Sequence, residues 1–146
     1  MGKLGKFWKT VGAGAAGMAA LAAVNARIRR NAHEPDDGAF GGEARSFEWQ
    51  HGNIFYKVAG EENDGVPIVL VHGVGAGASS FMWRRNFDEL ARDFRVYTFD
   101  LLGFGFSDKP ASAPYSAGLY VELIADFIRE VAGAPAHIIA SSLSAA

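Results

Sequence analysis

Cysteine is absent from the 146 residues of this chain, and proline occurs only five times. The lack of cysteine excludes disulfides, thiolate metal sites, iron–sulfur clusters and a cysteine nucleophile. Hydrophobic residues make up 49% of the chain and charged residues 21%, which is typical of an ordinary globular domain. Glycine is frequent, with 18 residues, but it follows no Gly-x-y period, so a collagen-like chain is also excluded.

Acidic residues are missing from residues 1–30, which contain six lysines and arginines. Because the net charge of the chain is −2, the remaining residues together carry −8. An acidic body without a basic stripe argues against nucleic acid as the main partner. We expect no cofactor and assign no metal ligands.

Residues 10–26 carry no charge and lie between basic residues. These 17 residues are mostly alanine and glycine, so membrane insertion is marginal. Three interpretations remain open: a signal peptide cleaved at Val24-Asn25-Ala26, an uncleaved membrane or interfacial anchor, and an alanine-rich helix or frayed tail. The arginines directly after the apolar run disfavour export, so we favour a weak anchor and a cytoplasmic or membrane-associated location.

Residues 31–45 are rich in acidic residues, glycine and proline, which predicts a linker, with the folded domain over residues 46–146. Two short runs with aromatic and β-branched residues surround His51-Gly52 and predict a hairpin. The apolar run that follows is typical of a strand buried on both faces of a parallel sheet. The predicted strands cover residues 46–50, 53–59, 67–71, 95–101 and 137–140.

Two helices are predicted between these strands. The first begins at a capping Ser79 or Ser80 and ends near Arg92. The second covers residues 116–131 and ends at Gly133, where a left-handed cap is expected. Alternation of strands and helices predicts an α/β domain with a mostly parallel sheet, whose ligand site lies at the carboxyl ends of the strands.

The turn after the fifth strand is the first candidate for chemistry. Ala140-Ser141-Ser142-Leu143-Ser144 fits the pattern small-x-nucleophile-x-small, in which small flanking residues let a sharp strand-to-helix turn close. Ser142 would then present an exposed hydroxyl. Two alternatives remain open: an ordinary serine-rich turn that caps a helix, and a register in which Ser144 is the nucleophile.

The glycine-rich loop after the third strand complements this turn. Acyl transfer requires two backbone N–H groups aimed at the developing oxyanion, and the N–H groups of Val74 and Leu143 are the candidates. Gly73 and the glycines that follow let the loop fold over the site. We interpret His72, on the oxyanion side, as a structural loop histidine rather than a base.

The same loop also fits a dinucleotide-binding fingerprint. Gly73-x-Gly75-x-x-Ala78 lies between a strand and a helix, and Asp100 stands where an acid would bind a ribose. Two predicted strands precede the loop, whereas the fingerprint strand should be the first of its domain. A nucleotide-binding oxidoreductase is therefore the second hypothesis.

Together, HGVGAGASS, DLLGFGFSD and IIASSLSAA resemble the N-terminal half of an α/β-hydrolase-fold protein, over about residues 46–146. They are most similar to bacterial and chloroplast-type serine hydrolases such as the pheophytinase-like group. The resemblance implies sheet order 1-2-4-3-5, Ser142 as the nucleophile, and the Val74 and Leu143 N–H groups as the oxyanion hole. A serine at this position implies esterase, lipase or C–C hydrolase chemistry on an ester-like or lipophilic substrate. It also implies that Asp100 and Asp108 are conformational loop residues.

Two departures from the family pattern matter. Ser144 occupies a position that is usually glycine, and the acid and histidine of the triad follow the nucleophile in this family. His137 lies at the far end of the fifth strand from Ser142 and cannot serve as base. We therefore expect a domain truncated after strand five and the nucleophile elbow, inactive by itself. A non-catalytic binding module with this fold is the third hypothesis.

Overall fold

The computed structural model describes residues 40–145, which form one five-stranded sheet with helices on both faces. The strands are β1 (Glu43–Trp49), β2 (Gly52–Ala59), β3 (Ile68–Val71), β4 (Val96–Phe99) and β5 (His137–Ala140). Their spatial order is β1-β2-β4-β3-β5, which confirms the predicted order. β3 pairs in parallel with β4 and β5, whereas β2 pairs antiparallel with β1 and β4. The α/β architecture is confirmed, with its parallel part centred on β3.

The first strand begins at Glu43, three residues earlier than predicted. The start of β1 is exposed, and there Arg45 forms ion pairs with Glu43 and Glu61 at 2.8 and 2.7 Å. Because these residues are charged, the sequence pattern indicated a linker and not a strand. Phe40 also contacts the domain, since its carbonyl accepts a 2.7 Å hydrogen bond from Lys57 Nζ. Residues 1–39, with the predicted anchor and most of the predicted linker, lie outside the described residues.

The continuous helix predicted from Ser79 or Ser80 to Arg92 is wrong. The structure has a 3₁₀ turn at Ser80–Trp83 and a separate short helix, α1 (Phe87–Leu90). Successive i→i+3 bonds wind the intervening chain tightly, so the helical phase is interrupted before α1. Ser79 makes no side-chain cap. The backbone N–H of Ser80 donates instead to the Asp100 carboxylate at 2.6 Å.

The second helix, α2 (Ala117–Phe127), forms where it was predicted. Ser116 caps it, because its hydroxyl oxygen accepts a hydrogen bond from the Leu119 N–H at 3.2 Å. One π-helical turn, Ile128–Ala132, continues the helix. Gly133 then ends it with φ +67°, which confirms the predicted left-handed cap.

The two helices cover opposite faces of the sheet. Phe127 of α2 stacks on Phe99 of β4 with ring centroids 4.4 Å apart, and both are fully buried. On the other face, Phe87 of α1 packs with Ile68, Leu70 and Val96. Burial of each large apolar side chain contributes roughly 1.5–3 kcal/mol to the free energy of unfolding. These contacts fix the positions of β3 and β4, from which the candidate site extends.

β5 lies at one edge of the sheet and pairs only with β3 among the described residues. Ile138 is 51% exposed and Ile139 is 40% exposed. An apolar strand edge with unpaired backbone groups is a template for pairing with another strand. Within residues 40–145, no helix combines the length and hydrophobicity that crossing a bilayer requires.

Candidate active site

Three loops leave the sheet at the same level and meet at its carboxyl edge. Val71, the last residue of β3, is in register with Phe99 of β4 and with Ala140 of β5. Because all three strands run in parallel, the loops that follow them are neighbours. Residues 72–78, 100–109 and 141–145 are thereby brought together, as the sequence predicted.

Ser142 has an unusual backbone conformation. Its φ is +58°, and within residues 40–145 it is the one non-glycine residue with positive φ. It follows β5 after a single residue and opens a 3₁₀ turn, Ser142–Ala145. A non-glycine residue in the left-handed region costs about 1–3 kcal/mol, and such strain is concentrated at functional sites. The backbone therefore turns sharply at the position predicted for the nucleophile.

Gly73 lies directly against this turn. A Cβ atom at Gly73 would stand 3.1 Å from Ser142 Cβ and 3.2 Å from the carbonyl oxygen of Ser141. A side chain at Gly73 would therefore press on the turn and require a small shift of Ser141 or Ser142. Ala140, at the end of β5, packs against the core of the sheet and is partly buried.

Ser144 is tied to the loop after β3. Its hydroxyl donates a 2.8 Å hydrogen bond to the carbonyl oxygen of His72. The hydroxyl of Ser142 has no partner within residues 40–145, and the side chain is exposed. Of the two serines, Ser142 is the one with an uncommitted hydroxyl.

The N–H groups of Val74 and Leu143 are both without a hydrogen-bond acceptor in the part of the chain that the structure describes. Val74 follows Gly73 in the loop after β3, and Leu143 lies in the first turn of the helix that begins at Ser142. First-turn N–H groups have no acceptor inside their own helix. Two unpaired N–H donors therefore occur near Ser142, one in the loop after β3 and one in the turn itself.

His72 is completely buried and both of its ring nitrogens are engaged. Nε2 accepts a 2.9 Å hydrogen bond from the Leu101 N–H, and Nδ1 lies 2.7 Å from the Gly73 carbonyl oxygen. The Nδ1 nitrogen therefore carries the proton. Burial lowers the pKa of His72, although the Gly73 carbonyl and the Asp100 charge act in the opposite direction. These contacts join the loops after β3 and β4 and leave His72 no free nitrogen to act as a base.

Asp100 and Asp108 organise the loop after β4. The fully buried Asp100 carboxylate accepts hydrogen bonds from the N–H groups of Ser80 and Phe106 at 2.6 and 2.8 Å. Asp108 accepts a 2.8 Å hydrogen bond from the N–H of Asn53. Because both Asp100 oxygens are used inside the protein, this carboxylate is not available to bind a ribose, and the geometry does not support the dinucleotide hypothesis.

The remaining described histidines do not reach Ser142. His51 lies in the β1–β2 turn against Trp49, with ring centroids 5.2 Å apart. His137 opens β5 in register with Ile68, the first residue of β3, and therefore lies at the amino edge of the sheet. His33 lies outside the described residues.

Two cavities adjoin Val74, and sequence reasoning found neither. One, of about 370 Å³, is lined by Val74, Tyr115, Tyr120, Val121, Ile124 and Leu143, among others. The other, of about 420 Å³, lies between residues 74–78, residues 103–105 and Lys109. The sequence offered one signal for the first cavity, the branched apolar residue Val121 in the segment that forms α2. In the structure the side chain of Val121 is 66% exposed.

Comparisons with known proteins identify the family and the fold. A family model described as "Alpha/beta hydrolase family" matches residues 68–146. The chain is 39% identical over 84 residues to a human (Lyso)-N-acylphosphatidylethanolamine lipase, covering 56% of this chain and 24% of the lipase. It is 41% identical over 59 residues to the 2-hydroxymuconate semialdehyde hydrolase of Pseudomonas sp. (strain CF600), covering 40% of this chain and 21% of that enzyme.

Solved structures also show the fold. The crystal structure of a membrane phospholipase A, described as a bacterial virulence factor, superposes with a TM-score of 0.64 and 28% identity. That match covers 95% of this chain and 43% of the phospholipase. The chain spans about a quarter of the length of the two curated relatives above.

Proposed function

Because the chain belongs to the alpha/beta hydrolase family, we propose that it is a serine hydrolase with Ser142 as its nucleophile. The observation that carries the proposal is the positive φ of Ser142 at the end of β5. A strained turn at this point lifts the hydroxyl above the carboxyl edge of the sheet, where a substrate carbonyl can approach. Its free hydroxyl, beside the committed hydroxyl of Ser144, supports the same assignment.

The N–H groups of Val74 and Leu143 form the oxyanion hole in this proposal. Attack by Ser142 Oγ on a carbonyl carbon places negative charge on the carbonyl oxygen, and unpaired N–H donors stabilise that charge. Collapse of the intermediate expels the leaving group and leaves an acyl-serine, which water then hydrolyses. The loss of one such donor typically lowers kcat about 10²–10³-fold.

The base that accepts the Ser142 proton is not among the histidines of residues 40–145. His72 has both nitrogens engaged, and His51 and His137 lie away from the turn. We infer that the acid and histidine of the triad are contributed from outside these residues. Serine is a weak nucleophile without a base, so residues 40–145 alone should hydrolyse esters at least about 10³-fold more slowly than a complete triad.

The apolar cavity beside Val74 and Leu143 supports a lipophilic acyl group as part of the substrate. No charged side chain lines it. The hydroxyls of Tyr115 and Tyr120 donate to the carbonyl oxygens of Pro110 and Leu102 at 3.0 and 3.3 Å, so both are already paired. An apolar chain gains free energy by entering such a cavity, whereas a polar chain would lose hydrogen bonds to water.

Hydrolysis of p-nitrophenyl hexanoate by the protein purified from the cells that make it tests the proposal. Ser142→Ala is expected to abolish turnover, whereas the matched variant Ser144→Ala is expected to retain it within about tenfold. Equal loss in both variants, or retention in Ser142→Ala, would exclude Ser142 as the nucleophile. Absence of turnover in the unaltered protein would favour a binding module with this fold.

A further inference from the structure

The second cavity, between the loops after β3 and β4, differs from the first in having a charged residue in its lining. It is lined by residues 74–78, by residues 103–105 and by Lys109. A Cβ atom placed on Gly75 or Gly77 would meet no other atom within 4 Å, so the loop faces open space there. A ligand can therefore approach this backbone closely.

Three consecutive N–H groups in this loop are unpaired. Among the described residues, those of Gly75, Ala76 and Gly77 donate to no acceptor; the Ala78 N–H closes the turn by donating to the Gly75 carbonyl. Consecutive unpaired N–H groups in a turn form a concavity that binds anions such as phosphate.

Lys109 adds positive charge to the same cavity. Its ammonium group donates to the carbonyl oxygens of Gly105 and Ser107 at 2.6 and 2.9 Å, which holds it in place. An ammonium group has three donors, so one remains. Lys109 forms no ion pair within residues 40–145. The Asp100 carboxylate lies against Gly105, and its two oxygens accept hydrogen bonds from the N–H groups of Ser80 and Phe106.

We propose that Lys109 and the N–H groups of residues 75–77 bind a phosphate group of the substrate. This inference rests on the proposed hydrolase function. Val74 lines both cavities, so this residue lies where the two cavities meet. The scissile carbonyl would lie at this junction, with an apolar acyl chain on one side and a phosphate-bearing group on the other. The substrate class is a phosphorylated ester of a lipophilic acid.

Calorimetric titration of the protein carrying Ser142→Ala tests this without turnover, so the result does not depend on the nucleophile. The probes are inorganic phosphate, 1-hexanoylglycerol 3-phosphate and neutral 1-hexanoylglycerol, at constant ionic strength. We expect the phosphorylated ester to bind at least about tenfold more tightly than the neutral ester, a difference of about 1.4 kcal/mol. Lys109→Gln should remove this preference, and Lys109→Arg should retain most of it.

Arg92→Gln is the matched control, because it removes one exposed positive charge distant in sequence from both loops and should leave the preference intact. Equal binding of the two esters, or a preference that survives Lys109→Gln, would overturn the proposal. Inorganic phosphate that binds as tightly as the phosphorylated ester would indicate a site for the free ion and would overturn the substrate assignment. Ester turnover that survives Ser142→Ala would contradict the proposed function and leave these binding results unaffected.

Discussion

The hydroxyl of Ser144 donates a 2.8 Å hydrogen bond to the carbonyl oxygen of His72, which joins the turn after β5 to the loop after β3. The position two residues after the proposed nucleophile therefore tolerates a hydroxyl because that hydroxyl has an acceptor in the neighbouring loop. The bond also links the two segments that hold the proposed oxyanion donors.

Replacement of Ser144 by alanine is expected to lower the free energy of unfolding by about 1 kcal/mol, since one partly buried hydrogen bond is lost. Urea denaturation measures this change. Ser112→Ala, in an exposed loop, is the control and should change stability by less than about 0.5 kcal/mol. A Ser144→Ala variant as stable as the unaltered protein would show that the bond to His72 contributes nothing.

His72 should make the protein less stable in mild acid. Burial lowers its pKa in the folded state, so below the ordinary pKa of about 6.5 the unfolded state takes up a proton that the folded state resists. The contribution of neutral His72 is complete above that pH and is lost as the pH falls below it. Urea denaturation at pH 7.5 and 5.5 should therefore show a decrease that is smaller in His72→Asn.

His137→Gln is the matched control for this pH dependence, because His137 is exposed at the start of β5. The decrease between pH 7.5 and 5.5 should persist in this variant. A decrease of the same size in His72→Asn and in the unaltered protein would contradict the account of His72.

Asp100 should be a structural residue. Asp100→Asn replaces one carboxylate oxygen by an NH2 group, which leaves either the Ser80 or the Phe106 N–H without an acceptor and the other with a neutral one. We expect a loss of about 2–3 kcal/mol in the free energy of unfolding. Asp93→Asn, at an exposed position, should change it by less than about 0.5 kcal/mol. NAD(H) should leave the melting temperature unchanged, whereas stabilisation that disappears in Asp100→Ala would revive the dinucleotide hypothesis.

Residues 1–30 are expected to bind anionic membranes through their six basic residues and central apolar run. Co-sedimentation with phosphatidylserine-containing vesicles should decrease when Lys3, Lys6 and Lys9 are replaced by glutamine. It should also decrease as salt rises from about 0.1 M to about 1 M, because the Debye length falls from about 10 Å to 3 Å. Replacement of Arg84, Arg85 and Arg92 by glutamine removes the same charge from the folded domain and should have little effect.

Much of the fold could be predicted because local pattern and tertiary structure agree. The buried run of β3 and the Ser116 cap and Gly133 terminus of α2 each have a local physical cause that the sequence displays. The continuous helix predicted after Ser79 is wrong because i→i+3 hydrogen bonds, such as those from Arg84 to Phe81 and from Asn86 to Trp83, interrupt the α-helical winding before α1. The apolar spacing of the sequence does not reveal this change in winding.

The candidate site was predictable to a similar degree. The spacing of small residues around Ser142 indicates a sharp turn, and the structure has one there. The cavities could not be predicted, because they depend on how α2 and the loops after β3 and β4 lie around Val74. Lys109 has no distinguishing local pattern, and only the fold brings it beside the glycine-rich loop.

The most direct test of Ser142 as the nucleophile is covalent labelling with a fluorophosphonate. The probe is added to the protein in extracts of the cells that make it, and the modified residue is located by peptide mass spectrometry. We predict that the phosphonyl group is attached to Ser142, and that denaturation before labelling abolishes the modification. Attachment to Ser144, or no attachment while other serine hydrolases in the same extract are labelled, would contradict the assignment.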